Sequence, residues 1–139
     1  MGIGKAKELS EMLARRPLSL VVVDDDEKYR NIISELLVEL GFIVSGFSEA
    51  SEMMDIYCQF RFDIIILQWE FEEMTGVVAM DEMYRIGKPL PSVIVSCEGG
   101  KSVSITAPFS PSAFLFKPFN SEKLIDMLLE VIGDRNEYP

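Results

Sequence analysis

The chain has 139 residues, 48% of them hydrophobic, which suits one compact domain with a real core. Its formal net charge of −10 disfavours nucleic acid and anionic membranes as partners, because both attract basic surfaces. Proteins, or cations drawn to clustered carboxylates, remain as the expected partners. With two distant cysteines and no histidine, we expect neither a disulfide framework nor a zinc-type ligand set. With no long apolar stretch, we expect neither a signal peptide nor a membrane span, and therefore a cytoplasmic protein.

The first 16 residues predict a short amphipathic helix. Ala6, Leu9 and Leu13 follow the spacing of one apolar stripe, and Pro17 should end the helix because proline disfavours α geometry in the preceding residue. Four basic and two acidic side chains make this segment basic, unlike the rest of the chain. We expect an added helix outside the core that serves association, for example as a homodimer. The alternative is an untethered leader.

The next segments predict a strand followed by a helix. Residues 18–23 are apolar and rich in valine, as for a strand buried on both faces, and they end in three consecutive aspartates. The following helix has an apolar stripe and is stopped by Gly41; the stripe consists of Tyr29, Ile32, Ile33, Leu36, Leu37 and Leu40.

Two more strands follow, each leading into a helix. Residues 42–47 predict the second strand, after which Ser48 should cap a helix with its apolar stripe at Ala50, Met53, Met54 and Tyr57. Residues 63–67 (Asp-Ile-Ile-Ile-Leu) form the strongest buried-strand pattern. A polar loop from Gln68 to Gly76 then leads into a helix over residues 77–86.

The last third of the chain predicts strands over residues 91–96 and 113–116. Glycines and prolines between them oppose a long helix, so the segment before Pro111 should be irregular or hold a shortened helix. Ser121 should cap a final helix that ends before Gly133; its inward residues are Leu124, Ile125, Leu128, Leu129 and Ile132.

Strands that alternate with helices predict a parallel sheet covered on both faces. Five strands fit the flavodoxin-like order 2-1-3-4-5, a three-layer α/β/α sandwich whose working crevice lies at the carboxyl ends of strands 1 and 3. The sequence places residues 24–26 and Gln68 at those ends, with Ser96 and Lys117 ending strands 4 and 5 on the same rim. We divide the chain into an N-terminal extension (1–17), this domain (18–133) and a C-terminal tail (134–139).

Five short segments carry a resemblance to a known family: Val-Val-Val-Asp24-Asp25-Asp26, Phe-Asp-Ile-Ile-Ile-Leu67, Met-Thr-Gly76, Pro-Ser-Val-Ile-Val-Ser96 and Phe-Leu-Phe-Lys117-Pro-Phe. From about residue 18 to residue 132 the chain resembles the receiver domain of bacterial response regulators in two-component (phosphorelay) signalling. That family transfers a phosphoryl group from a donor to a carboxylate, with Mg²⁺ neutralising the developing charge.

The resemblance implies a role for each residue of the rim. Asp24 and Asp25 correspond to the acidic pair that holds the metal, together with the backbone carbonyl of Glu70. The groups that bind the phosphoryl oxygens correspond to Ser96 and Lys117. Without a phosphoryl group, Lys117 is expected to neutralise the acidic pair, and the bond between Lys117 and Pro118 is a candidate cis peptide. Phe114 corresponds to the family's switch aromatic, although packing explains it equally well.

The acceptor position is occupied by Gln68, and an amide is no phosphoacceptor because its oxygen carries no full charge and its nitrogen lone pair is delocalised. We therefore expect a pseudo-receiver that is no enzyme, requires no cofactor, binds Mg²⁺ weakly if at all, and acts through protein–protein contacts.

Two enzyme or cofactor alternatives are weaker. A haloacid-dehalogenase-like phosphatase would use Asp24 and Asp26 as its Asp-x-Asp signature, but Lys28 departs from that pattern and the chain is short for a cap. Asp26 is equally well explained as a helix N-terminal residue. A flavodoxin-like cofactor binder would need a phosphate loop after strand 1, where three carboxylates would repel a phosphate.

Overall fold

The computed structural model describes residues 2–57, 59–69, 81–83, 85, 92–98 and 111–133. The helices are α1 (Gly2–Arg15), α2 (Glu27–Leu40), α3 (Ala50–Tyr57) and α4 (Ser121–Gly133). The strands are β1 (Ser19–Val23), β2 (Ile43–Phe47), β3 (Ile64–Gln68), β4 (Ser92–Glu98) and β5 (Ala113–Lys117). Residues 81–83 and 85 are helical, in agreement with the helix predicted over 77–86. The rest of that helix, the segment predicted to be irregular and the C-terminal tail lie outside the described residues.

The five strands form one parallel sheet in the order β2-β1-β3-β4-β5, which confirms the predicted topology. Successive β1 residues point to opposite faces, and all four residues from Leu20 to Val23 are buried. Within the part of the chain that the structure describes, no helix is both long and apolar enough to cross a bilayer.

Two apolar clusters cover the two faces of the sheet, so the fold has three layers. Leu20 and Val22 of β1 belong to the cluster under α1, α2 and α4. Val21 and Val23 belong to the cluster on the opposite face, under α3 and Met83. This alternation is why β1 is apolar at every position.

Helix α2 begins and ends as its sequence predicts. The Asp26 side chain accepts a hydrogen bond from the backbone N–H of Tyr29 at 3.1 Å, and Gly41 ends the helix with a φ of 116°. One stripe position is wrong, because Ile32 is 58% exposed. Periodicity places Ile32 at the border of the stripe, where its side chain stays exposed.

Both predicted serine caps, Ser48 and Ser121, are wrong by one residue. Helix α3 begins at Ala50, and the Ser48 hydroxyl instead donates to the Glu52 carboxylate at 2.9 Å. Helix α4 begins at Ser121, and the Asn120 side chain accepts from the backbone N–H of Lys123 at 2.8 Å, which makes Asn120 the cap. Serine and asparagine are about equally favoured as N-cap residues. Where they are adjacent, as at Asn120 and Ser121, the sequence alone therefore does not determine which of them caps the helix.

Helix α1 lies against α2 and α4, and the prediction that it stands outside the core is wrong. Leu9 is fully buried and Leu13 is 2% exposed, and both belong to the core cluster of that face. Lys5 pairs with Asp126 of α4 at 2.7 Å, so the basic helix contacts the acidic remainder of its own chain. A Cβ added at Gly41 would lie 3.2 Å from the Leu13 Cβ, which shows how closely α1 approaches the end of α2. The division of the chain at residue 17 stays a prediction.

Candidate functional site

The predicted rim residues meet at the carboxyl edge of the sheet. Val23 of β1 is paired with Leu67 of β3, so Asp24 and Gln68 follow side by side. Gln68 is in turn paired with Ser96 of β4. Register alone therefore places three of the predicted residues on adjacent strands at one level.

Asp24 is a buried carboxylate, 3% exposed, and both of its oxygens are engaged. Oδ2 accepts a hydrogen bond from the Lys117 ammonium at 2.6 Å, and Oδ1 accepts from the backbone N–H of Asp26 at 2.9 Å. The Arg30 guanidinium donates to the Asp24 backbone carbonyl at 2.7 Å. Two cationic side chains thus hold the residue that follows β1.

The ammonium of Lys117 is buried on its other side by an aromatic ring. Its Nζ lies 4.3 Å from the centroid of the Tyr29 ring, and Tyr29 packs edge-on against Phe119 at 5.5 Å. The bond between Lys117 and Pro118 is cis, as expected from the sequence. Burial raises the pKa of Tyr29 to about 12, and the carboxylates of Asp24 and Asp26 act in the same direction. The Tyr29 phenol is therefore neutral near pH 7, and its ring packs over the ammonium of the Lys117–Asp24 ion pair.

Gln68 is the last residue of β3, and its side chain is hydrogen-bonded to the backbone just after β1. Its Oε1 accepts a hydrogen bond from the backbone N–H of Asp25 at 2.8 Å. Asp25 is exposed. Of the acidic pair, Asp24 is the residue whose carboxylate binds the Lys117 ammonium. The amide oxygen at the acceptor position is thus bound by a main-chain donor.

Ser96 is buried at 3% exposure, and its Oγ has no hydrogen-bond partner among the atoms of the described residues. The prediction that Ser96 ends its strand is wrong, because β4 continues to Glu98. Pairing of Cys97 with Phe116 and of Glu98 with Lys117 extends the strand. Those contacts join segments distant in sequence, so no local pattern reports them. The backbone carbonyl of Ser96 accepts from the N–H of Trp69 at 2.9 Å.

A divalent cation would find few free ligands here. Asp24 and Asp25 are the available carboxylates, and Asp24 already binds an ammonium at 2.6 Å. Within the described part of the chain, no three His, Cys, Asp or Glu side chains form a group arranged for a metal. Glu70, whose carbonyl the resemblance adds, lies outside that part. Mg²⁺ prefers about six oxygen ligands, so these residues fit it poorly, and weak binding stays a prediction.

Three further residues bear on how the site is assigned. Phe114 is partly buried against the cluster under α3, as a packed residue. Asp63 lies at the opposite edge, where its Oδ2 accepts from the Ser19 N–H at 2.9 Å, so it cannot serve as the acceptor. The sequence reasoning missed Arg30, although its position one turn after Asp26 could have suggested that it returns to the end of β1.

Known proteins resemble this chain over most of its length. The family described as Response regulator receiver domain matches residues 20–129. Chemotaxis protein CheY1 of Helicobacter pylori is 30% identical over 126 residues, covering 84% of this chain and 98% of that protein. The chemotaxis response regulator CheY4 of Vibrio cholerae has the same fold, with a TM-score of 0.65 at 24% identity, covering 82% of this chain and 98% of that chain. A structure of the histidine kinase ThkA in complex with the response regulator protein TrrA matches with a TM-score of 0.70 at 21% identity, covering 82% of this chain and 97% of that chain.

Proposed function

This chain belongs to the response regulator receiver domain family, and from that premise we propose that it is a two-component signalling module that is not phosphorylated at the usual position. Its output is a protein–protein contact, and its role is not enzymatic. The proposal accounts for a receiver fold in which the residue that ends β3 is an amide.

The observation that carries the proposal is the position and bonding of Gln68. Gln68 is the last residue of β3, level with Asp24, and its side-chain oxygen accepts a hydrogen bond from the Asp25 N–H at 2.8 Å. A phosphoryl acceptor must offer an anionic oxygen in line with the donor phosphorus. A carboxamide oxygen that carries no full charge and already accepts a main-chain hydrogen bond does not meet that need.

The charges around Gln68 support the same conclusion. Replacing a carboxylate with an amide removes one anion from the rim, and one unit charge about 4 Å away is worth roughly 4 kcal/mol of Coulomb attraction at an effective dielectric constant near 20. A divalent cation therefore loses attraction that an aspartate would supply. The buried carboxylate of Asp24 is already paired with the Lys117 ammonium at 2.6 Å, without a phosphoryl group or a metal.

A protein partner is the simplest output for such a module. One structure with the same fold holds a response regulator in complex with a histidine kinase. The formal charge of −10 also suits a protein with a basic surface better than nucleic acid. The phosphatase alternative gains nothing from the geometry, because Asp26, its second acid, caps α2 through the Tyr29 N–H.

Exposure to acetyl phosphate with Mg²⁺, followed by intact-mass measurement, tests the proposal. We expect an unchanged mass, and a stoichiometric adduct of roughly 80 Da, one phosphoryl group, would overturn it. The variants Gln68→Asp and Gln68→Asn form a matched pair that differs in the presence of an anionic oxygen. Gln68→Asp should gain the adduct and Gln68→Asn should not.

A further inference from the structure

Strand β2 is one of the two outer strands of the sheet, and the backbone groups of two of its five residues point outward. The Ile43 N–H donates to the Leu18 carbonyl at 3.0 Å, and the Phe47 carbonyl accepts from the Asp24 N–H at 3.0 Å. The odd-numbered residues of β2 therefore face β1. Because successive residues of a strand point their N–H and C=O groups in opposite directions, those of Val44 and Gly46 point away from the sheet.

The outward edge of β2 lacks the charges, prolines and bulges that often prevent pairing with another strand. Natural edge strands carry charges, prolines or bulges. The sequence of β2 is Ile-Val-Ser-Gly-Phe, without a charge or a proline, and it pairs with β1 in unbroken register. Ile43 is 59% exposed at its start.

On the α2 side of this edge lies an acidic groove of about 650 Å³. Val44 and Gly46 of β2 line it together with Glu35 and Glu39 of α2, which are exposed residues. The Arg30 guanidinium also lines the groove, but it is engaged at the Asp24 carbonyl at 2.7 Å. Two carboxylates against one guanidinium leave the lining of this groove with a net negative charge.

On the α3 side of the same edge lies an apolar groove of about 300 Å³. Five of its lining side chains are aromatic or aliphatic, and two serines and one arginine complete the lining: Ile43, Phe47, Ile56, Phe60 and Phe62, with Ser19, Ser45 and Arg61. Five large hydrophobic side chains are exposed among the described residues, and three of them, Val38, Ile43 and Phe60, line the two grooves. Exposed apolar surface is thus concentrated on both sides of one strand edge.

We propose that the outer edge of β2 binds an extended segment of a partner protein as a sixth strand, and that this segment alternates basic with apolar side chains. Added strands bind through main-chain hydrogen bonds, and their alternate side chains enter pockets on the two faces. Basic side chains fit between Glu35 and Glu39, and apolar side chains fit against Phe60. The inference rests on the proposed function insofar as that function needs a surface for a partner.

A second copy of this chain is a poorer occupant. Its β2 strand has no basic side chain to place beside Glu35 and Glu39. Two copies joined at this edge would also bring together chains that each carry a formal charge of −10. Charge complementarity therefore selects a different protein.

A short N-acetylated peptide that alternates lysine with valine is the probe, and amide hydrogen exchange of the full chain is the measurement. With the peptide in excess, the amides of Val44 and Gly46 should become protected from exchange. A peptide of the same composition in scrambled order should protect them less. Protection at other positions only, or equal binding of both peptides, would overturn the proposal.

Two substitutions at Gly46 provide a matched control. Gly46→Pro removes an outward N–H, which edge strands tolerate, and should weaken peptide binding by about fivefold, the loss of one hydrogen bond. Gly46→Ala keeps the donor, and its Cβ would meet the Arg30 Cδ at an ordinary 3.5 Å, so binding should be unchanged. Equal binding by the two variants would contradict pairing at this edge.

If the Gly46→Pro variant does not fold, reversing the charges of Glu35 and Glu39 provides a second test. The double variant Glu35→Lys/Glu39→Lys should prefer a peptide that alternates glutamate with valine, and an unchanged preference for lysine would overturn the proposal. Light scattering without peptide tests the second copy: dimerisation that protects Val44 and Gly46 would refute a foreign partner. None of these measurements involves Gln68 or a phosphodonor, so their failure is distinct from failure of the proposed function.

Discussion

Substituting Lys117 by methionine should destabilise the domain more than any surface substitution, because it leaves Asp24 buried without its counter-ion. The side chains of the pair are 9% and 4% exposed, and the two charged atoms are 2.6 Å apart. Methionine keeps most of the aliphatic volume of lysine, so the lost packing is small.

The expected loss follows from what remains around Asp24. Removing one partner of a buried ion pair costs roughly 3–5 kcal/mol. The Asp26 N–H still donates to Asp24 Oδ1 at 2.9 Å, which places the cost at the lower end of that range. The contact of the ammonium with the Tyr29 ring, 4.3 Å to the centroid, is lost as well and adds about 0.5–2 kcal/mol. We expect a loss of about 4 kcal/mol in the free energy of unfolding.

Urea unfolding followed by the fluorescence of Trp69, the single tryptophan, measures this loss. The complete cycle includes Asp24→Asn, Lys117→Met and the double variant. Because the double variant buries no unpaired charge, it should be more stable than the sum of the single losses predicts, with a coupling of about 2 kcal/mol. A loss below about 1 kcal/mol in Lys117→Met, or single losses that add within about 0.5 kcal/mol, would refute the reasoning.

The remaining predictions concern the metal, helix α1 and alkaline pH. Calorimetric titration should give a weaker Mg²⁺ affinity for the natural chain than for Gln68→Asp, and equal affinities would mean that another acid supplies the missing anion. Leu13→Ala should cost about 2–5 kcal/mol in urea unfolding, whereas the exposed control Lys7→Ala should change stability little; equal small effects would place α1 outside the core. Burial raises the pKa of Tyr29 from 10.0 to about 12, so its contribution to stability is fully present below pH 10 and is lost as the pH rises towards 12. Tyr29→Phe should therefore lose less thermal stability than the natural chain between pH 9.5 and about 11.5, and parallel losses would contradict this assignment.

Local patterns predicted the elements that dominate the fold. The buried runs that form β1 and β3 have no polar residue in their interiors, and Gly41 can take a φ of 116° at little cost, so strand and helix end follow from the residues themselves. Errors occurred where two adjacent residues were equally suited, as at Asn120 and Ser121. The predicted end of β4 at Ser96 was also wrong, because pairing with the adjacent strand β5 extends β4 to Glu98.

Helix α1 illustrates a different limit. Its stripe of Leu9 and Leu13 predicts a helix that needs a surface, but the stripe is compatible with a second copy, another protein or the chain's own domain. Packing against α2 and α4 decides among them, and it makes the N-terminal segment part of the core.

At the rim, the sequence by itself determined which chemical groups are present and that they share one edge. Parallel strands end together, so residues that follow β1, β3 and β5 must lie near one another, and an amide in the acceptor position is visible without coordinates. Only the tertiary structure decided the partners: Lys117 binds Asp24 and not Asp25, the Gln68 oxygen takes the Asp25 N–H, and Arg30 holds the Asp24 carbonyl. Lys117 and Asp24 are 93 residues apart, and hydrogen bonds require distances near 3 Å, which only the packing of the whole domain sets.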